Sequence, residues 1–335
     1  MTINRQFRLK RRPVGRVTRD DFDLVESPVP EPGEGEAVVR NLYLSLDPTN
    51  RIWMSDQPQY MPPVAIGEVM RGGGIGRVVA SRNPAFKEGD LVNGLVGWQD
   101  YSIAGGPSEL FPPTVIPDGL PIPVTTLMGA CGMTGLTAYF GLTEIGQPKP
   151  GETLVVSAAA GAVGSVVGQI GRIMGMRVVG IAGGPEKCRF ITEELGFDAA
   201  VDYKAADWRE QLKAATPKGI DVNFENVGGE IMEAVVARMN LYGRMPLCGM
   251  ISTYNDTTRP RYDISPFLMK RIRLQGFIII DFKDRYIEGS MQLAQWLVEG
   301  KLKARETVVD GLENAPETLN MLFDGGNTGK LIVKI

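Results

Sequence analysis

The 335-residue chain contains no histidine, and that absence excludes more chemistry than any other feature of its composition. Ser–His–Asp and Cys–His nucleophile arrangements cannot be assembled, and imidazole cannot serve as general acid or base. A catalytic zinc held by cysteine and histidine is equally excluded. The three cysteines, Cys131, Cys188 and Cys248, are too few and too scattered for a four-cysteine structural site. An odd number without framework spacing suits a reducing cytoplasm. No apolar run approaches the roughly 20 residues of a membrane span, and the basic N-terminus is not followed by the apolar core of a secretory signal. Net charge is -3, so no basic field recruits nucleic acid, and the cluster Arg5 to Arg12 reads as a solvated edge. Any acid or base here must be Tyr, Lys, Asp, Glu, Cys or water.

What is present changes character along the chain. Up to about Val124, short strands alternate with Pro and Gly, as in Ala37–Leu46, Gly74–Ala80 and Leu91–Val96. That spacing predicts a small, partly closed β-barrel. The Gly72–Gly74 run leads into another strand, so it predicts tight strand packing or a bulge and not a phosphate loop. From Leu127 to about Gly300, strands and helices alternate, with strands expected at Leu154–Ser157, Val178–Ala182, Ala200–Asp202, Asp221–Glu225, Arg244–Cys248 and Leu274–Ile280. This is the pattern of a doubly wound parallel sheet. The tail carries a short strand, a helix and a final strand at Leu331–Ile335, which are expected to return to the first domain. The boundaries expected are 1–125, 126–303 and 304–335. Near the end, GGNTGK falls one residue short of a P-loop and has Leu331 in place of Ser or Thr.

The most informative stretch is TLVVSAAAGAVGSVVGQIGRIMG, Thr153 to Gly175. An apolar strand meets a small-residue turn and then an amphipathic helix, with Val163, Val166, Val167, Ile170, Ile173 and Met174 at helical spacing. Ala159, Gly161 and Gly164 occupy the three positions of a dinucleotide fingerprint. Gly161 would let the backbone approach a pyrophosphate, and Gly164 would let the helix pack on the strand. The helix N-terminus presents N–H groups and a positive dipole end to phosphates. After the second strand, where an NAD site would carry a ribose-binding carboxylate, the chain reads GGPEKCR. Gly183 and Gly184 leave room and Lys187 and Arg189 supply charge, although Glu186 is close. This favours a 2′-phosphate, and so NADP over NAD.

The motifs AAAGAVGSVVGQI, GFDAAVDYK, FENVGG, CGMISTYN, RLQGFIII and NTGKLIVKI together resemble the zinc-independent medium-chain dehydrogenase/reductases. Within them the chain is similar to the prostaglandin and leukotriene reductases, plant double-bond reductases and bacterial curcumin reductase-like enzymes. SDQPQYMPP, GWQDY, PKGIDV and DGLENAP point to the last branch. The resemblance implies a GroES-like catalytic domain, a Rossmann domain and an active site in the cleft between them. It also implies hydride transfer from NADPH to the β-carbon of an enone or enal, a cytoplasmic enzyme and a homodimer. The apolar run Phe277–Ile280 is a candidate edge strand for pairing across the two-fold axis that family dimers suggest.

Carried over residue by residue, the resemblance places the pyrophosphate at Gly161, Ala162, Val163 and Gly164. The 2′-phosphate end falls to Lys187 and Tyr203, and the ribose to Asn226. Met133 and Thr137 would line the nicotinamide. Cys248, Gly249, Ile251, Ser252 and Tyr254 would wrap the cofactor, with Phe277, Ile278, Ile279 and Asn327 completing the cradle. Tyr60 and Tyr254 are the candidate proton donors, with ordered water as the competitor. One departure stands out: the family's DPYMRGRM is DPTNRIWM here, with Thr49 and Asn50 replacing Tyr and Met. Trp53, Trp98 and Tyr101 either line an apolar pocket or belong to the barrel core. A quinone reductase on the same fold and an NADPH-binding protein without turnover are the competing functions.

Overall fold

In the computed structural model, which describes residues 2–105, 112–258 and 260–335, the chain divides into two compact units. One comprises Met1–Met128, Thr307–Asn327 and Leu331–Ile335, and the other comprises Gly129–Glu306 and Thr328–Lys330.

The first unit is antiparallel. Strands β1 (Ile3–Leu9) and β2 (Phe22–Pro28) form a hairpin, followed by β3 (Ala37–Leu46), β4 (Gly73–Ser81), β5 (Leu91–Leu95), β6 (Tyr101–Ala104) and β7 (Thr114–Ile116). β4 lies along one edge of β3. Its other edge is shared by β6 and by the chain's final strand, Lys330–Lys334. The glycine run enters β4. A Cβ on Gly74 would collide with the Tyr43 carbonyl oxygen, and one on Gly76 would lie 2.6 Å from that of Arg40. These glycines let β3 and β4 close up beside a register shift at Asn41/Tyr43. Trp98 is fully buried, stacked on Phe22 at 5.4 Å and edge-on to Phe7 at 6.3 Å. It belongs to the core, not to a pocket wall.

The second unit is the expected doubly wound α/β sheet. Strands β8 (Thr153–Val156), β9 (Arg177–Ala182), β10 (Ala199–Asp202), β11 (Ile220–Phe224), β12 (Met239–Leu247) and β13 (Arg273–Gly276) run parallel in the order β10-β9-β8-β11-β12-β13. All four residues of β8 are buried, as a strand covered by helices on both faces requires. The helix Ala162–Ile173 buries Val166, Val167 and Ile170 completely or nearly so, each worth about 1.5–3 kcal/mol. Strand order reverses between β8 and β11, and ligands of such sheets bind at the carboxyl ends of the strands there.

The expected strand over Leu274–Ile280 is corrected by the structure. β13 stops at Gly276, and Ile279–Arg285 winds into 3-10 turns. Phe277 turns edge-on to Phe224, with ring centroids 6.1 Å apart, and the Ile278 N–H donates to the Asp281 carboxylate at 3.2 Å. Burial of the aromatic ring outweighed continued strand pairing, so the sheet edge is Arg273–Gly276, exposed throughout. Among the described residues, no helix is long and apolar enough to cross a membrane.

Candidate cofactor cradle and tyrosine cluster

The fingerprint turn follows β8 directly. Ala158 adopts φ +50°, an uncommon conformation for a residue with a side chain, and its carbonyl accepts the Gly161 N–H at 2.9 Å. A Cβ on Gly164 would collide with that carbonyl oxygen and lie 2.9 Å from Ala159 Cα, so close helix–strand packing demands glycine there. Gly161 meets only the Ala158 oxygen at 3.2 Å, so its outer side is open to a ligand. Alanine at the first fingerprint position is accommodated by Gly180 on β9, whose missing Cβ would sit 2.8 Å from the Ala159 methyl. The helix carrying Ala162, Val163 and Gly164 has no side-chain cap at Gly161, leaving its first turn available to phosphate oxygens. On the other flank, Gly329 donates to the Ala160 carbonyl at 2.8 Å and bridges Gly161. Its φ of +67° and a would-be Cβ collision with the Arg305 carbonyl restrict that position to glycine.

Beyond β9, the Tyr203 ring lies against Gly183, where an added Cβ would meet it at 2.8–2.9 Å. Asp202 is occupied in shaping this end: its carboxylate accepts the Gly184 N–H at 2.7 Å and the Lys204 N–H at 3.0 Å. Lys187 is half-buried, and burial followed by the nearby Lys204 charge lowers its ammonium pKa. Among the described residues neither lysine is in an ion pair. Two cations held together against their mutual repulsion fit a dianionic phosphate. The sequence does not single out Lys204, although it directly follows Tyr203 in the DYK motif.

The loops after β8, β11 and β12 are tied together at one residue, Glu225, the first two through its buried carboxylate and the third through its backbone carbonyl. Glu225 Oε1 accepts from Ser157 Oγ at 3.0 Å, Val227 N at 2.7 Å and Gly228 N at 2.8 Å, while Oε2 accepts from Asn223 Nδ2 at 2.9 Å. Its backbone carbonyl accepts the Cys248 and Gly249 N–H groups. Burial raises the Glu225 pKa against the pull of these four donors. Asn226 donates from its backbone to Ser157 Oγ and from Nδ2 to the Ser157 carbonyl, both at 2.8 Å, so its orientation is set by the fingerprint loop. In the loop that follows, the Ile251 N–H donates to the Asn226 carbonyl and Ser252 Oγ donates to the Val227 carbonyl. The Tyr254 hydroxyl accepts the Met250 N–H at 3.1 Å and lies 3.0 Å from where a Gly249 Cβ would stand. Tyr254 thus braces its own turn. The Cys248 thiol is pushed up to about 12 by burial and by Glu225, so it stays protonated and inert at neutral pH.

Met133 and Thr137 share one face of the helix Met133–Phe140, Thr137 Oγ1 donating to the Met133 carbonyl at 2.7 Å. Phe277 and Ile278 hold the turn described above, and the Ile279 carbonyl accepts the Tyr286 hydroxyl at 3.1 Å. Asn327 is buried and belongs to the first unit.

The departure DPTN lies in the first unit, on the short helix Thr49–Trp53, and its two residues do different work. Asn50 points inward, 1% exposed, accepting the Asp47 N–H at 2.8 Å and donating to the Arg71 carbonyl at 3.2 Å. Thr49 Oγ1 lies 2.5 Å from the Tyr60 hydroxyl, which also accepts the Trp53 indole N–H at 3.2 Å. The Arg71 guanidinium stacks over Trp53 at 5.4 Å. Burial raises the Tyr60 pKa, opposed by the two hydrogen bonds and by Arg71. Of the three aromatics offered as pocket lining, Trp53 is therefore the one joined to a candidate proton donor.

Comparison with known proteins agrees with this anatomy. Residues 5–111 match a family described as the N-terminal domain of oxidoreductase, and residues 162–296 one described as zinc-binding dehydrogenase. The second description names a metal for which this sequence has no histidine ligand. An NADPH-dependent curcumin reductase of Escherichia coli (strain K12) is 50% identical, covering 99% of this chain and 97% of the relative. A 2-alkenal reductase (NADP(+)-dependent) of Nicotiana tabacum is 40% identical, covering 99% and 97%. The crystal structure of CurA in complex with NADPH from Vibrio vulnificus matches with a TM-score of 0.93 and 47% identity, over 98% of each chain.

Proposed function

The chain belongs to the medium-chain dehydrogenase/reductase family, in the group that holds the curcumin and alkenal reductases, and from that premise we propose that it reduces the carbon–carbon double bond of α,β-unsaturated ketones and aldehydes. It is an NADPH-dependent reductase, and the glycine turn with Lys187, Lys204 and Tyr203 fits that cofactor. NADPH supplies the hydride when bound. The observation that carries the substrate class is full-length similarity to enzymes named for curcumin and 2-alkenals, both conjugated carbonyl compounds. With no histidine in the chain, a phenol is the natural acid for the α-carbon, and no metal is needed in the step. Tyr60 is the proton donor in this reading, because the residue is 41% exposed and its hydroxyl is held by two partners. Tyr254 is the second candidate.

NADPH oxidation against a panel of enones, enals and simple quinones tests the substrate class. Enones and enals should turn over fastest. Faster quinones would replace this reading with a quinone reductase, and no oxidation with any acceptor would leave a binding protein. Tyr60→Phe should lower kcat by about 100-fold, the low end of what a positioned general acid contributes. Tyr254→Phe should lower kcat more than it weakens NADPH; the reverse pattern would confine Tyr254 to bracing its loop.

We also infer a homodimer formed through the β13 edge. Leu274 on that strand, Leu241 and Tyr242 on β12, and Ile264, Leu268 and Met269 nearby are exposed apolar side chains, and an unpaired strand edge invites a second copy. Light scattering should give twice the 36.5 kDa chain mass, and a single chain mass at micromolar concentration would refute the dimer. Three scattered cysteines with no disulfide among the described residues support a cytoplasmic enzyme in this reading.

A further inference from the structure

We propose that Thr49 is a positioning residue for the Tyr60 phenol, donating its hydroxyl proton to Tyr60 Oη so that the phenol proton is left for the substrate and the phenolate is held after transfer. The inference rests on the reading of Tyr60 as proton donor. It begins from hydrogen-bond counting. An indole N–H only donates, so Trp53, 3.2 Å away and 7% exposed, occupies one lone pair of Tyr60 Oη and cannot reverse. The hydroxyl of Thr49, 2.5 Å away, can either accept or donate. If it accepts, the phenol proton is consumed within the cluster. If it donates, both lone pairs of Tyr60 are engaged and its own O–H is unclaimed.

Proton transfer decides between the two. As hydride reaches the β-carbon, the π pair moves to the carbonyl oxygen. The enolate α-carbon then takes the Tyr60 proton, forming a C–H bond and leaving a phenolate that water reprotonates. In the phenolate only a donating Thr49 is compatible with the negative charge, and two donors to one oxyanion stabilise it more than one. The charged groups around the phenol are Asp47, which opposes ionisation, and Arg71, which favours it from beside Trp53.

The test compares Thr49→Val, Thr49→Ser and Tyr60→Phe in kcat against pH with a simple enone and saturating NADPH. Thr49→Val should lower kcat roughly tenfold, move the alkaline limb up by about one pH unit and leave the KM for NADPH unchanged, as loss of one charge-assisted hydrogen bond predicts. Thr49→Ser should restore both. A wild-type rate and limb in Thr49→Val, with Tyr60→Phe impaired, overturns the role of Thr49 and spares that of Tyr60. A wild-type rate in Tyr60→Phe overturns both. Equal impairment in Val and Ser variants, with wild-type melting temperatures, overturns the hydroxyl argument in favour of shape.

Discussion

Lys187→Ala raises the Kd for NADPH by roughly 10- to 100-fold and leaves the Kd for NADH within about twofold, because only the 2′-phosphate makes the charge-assisted bonds that are lost. Its ammonium is half-buried beside Lys204, and burial and that second charge both lower its pKa. Such a pair is costly to assemble and is relieved when a phosphate dianion sits between the charges. Asp202, at the end of β10, accepts from the Gly184 and Lys204 backbones, which keeps its carboxylate engaged. Lys204→Ala should show the same selectivity with a smaller loss. Fluorescence titration with the two cofactors measures both. Equal weakening of NADPH and NADH would remove the 2′-phosphate from this corner.

Glu225→Ala costs about 3–5 kcal/mol of stability, since four donors aimed at one carboxylate lose their acceptor inside the fold. For a unit of this size that corresponds to a fall in Tm of about 10 °C. Glu225→Gln keeps the shape but turns an N–H toward another donor, so it should fall between. The pH dependence distinguishes a buried ionisable group from a packing defect. Burial raises the folded-state pKa of Glu225 above its unfolded value. The native state then holds the proton to higher pH, and the associated stability is full below the ordinary carboxylate range and lost as pH rises through the folded value. Glu225→Gln lacks that component and should give a flatter Tm against pH over the same window. An unchanged Tm in Glu225→Ala would mean that the loops after β8 and β11 do not depend on this carboxylate.

The doubly wound sheet was legible because its central strands β8 and β9 are rich in buried β-branched residues and its first helix carries apolar residues at helical spacing, so local pattern and tertiary burial agree. The run Phe277–Ile280 misled because an apolar run carries no instruction about strand or turn. The choice was made by the space beside Phe224 and Gly141, which Phe277 fills. Lys204 and Glu225 lie in the motifs DYK and FENVGG, yet nothing local marks either one out. One matters because another lysine folds beside it, and the other because donors from two loops and from β11 converge on its carboxylate.

The sequence by itself determined the chemistry that is impossible, the dinucleotide turn and the family, since these depend on residue types and short spacings. Only the tertiary structure decided which residues act together. Thr49 and Asn50 are neighbours in the chain, yet one hydroxyl meets Tyr60 and the other side chain is buried between Asp47 and Arg71. In the fingerprint turn, alanine stands at the first position because Gly180, on the next strand, leaves space for its methyl group. Close packing between segments distant in sequence sets such partnerships, and no local pattern encodes them.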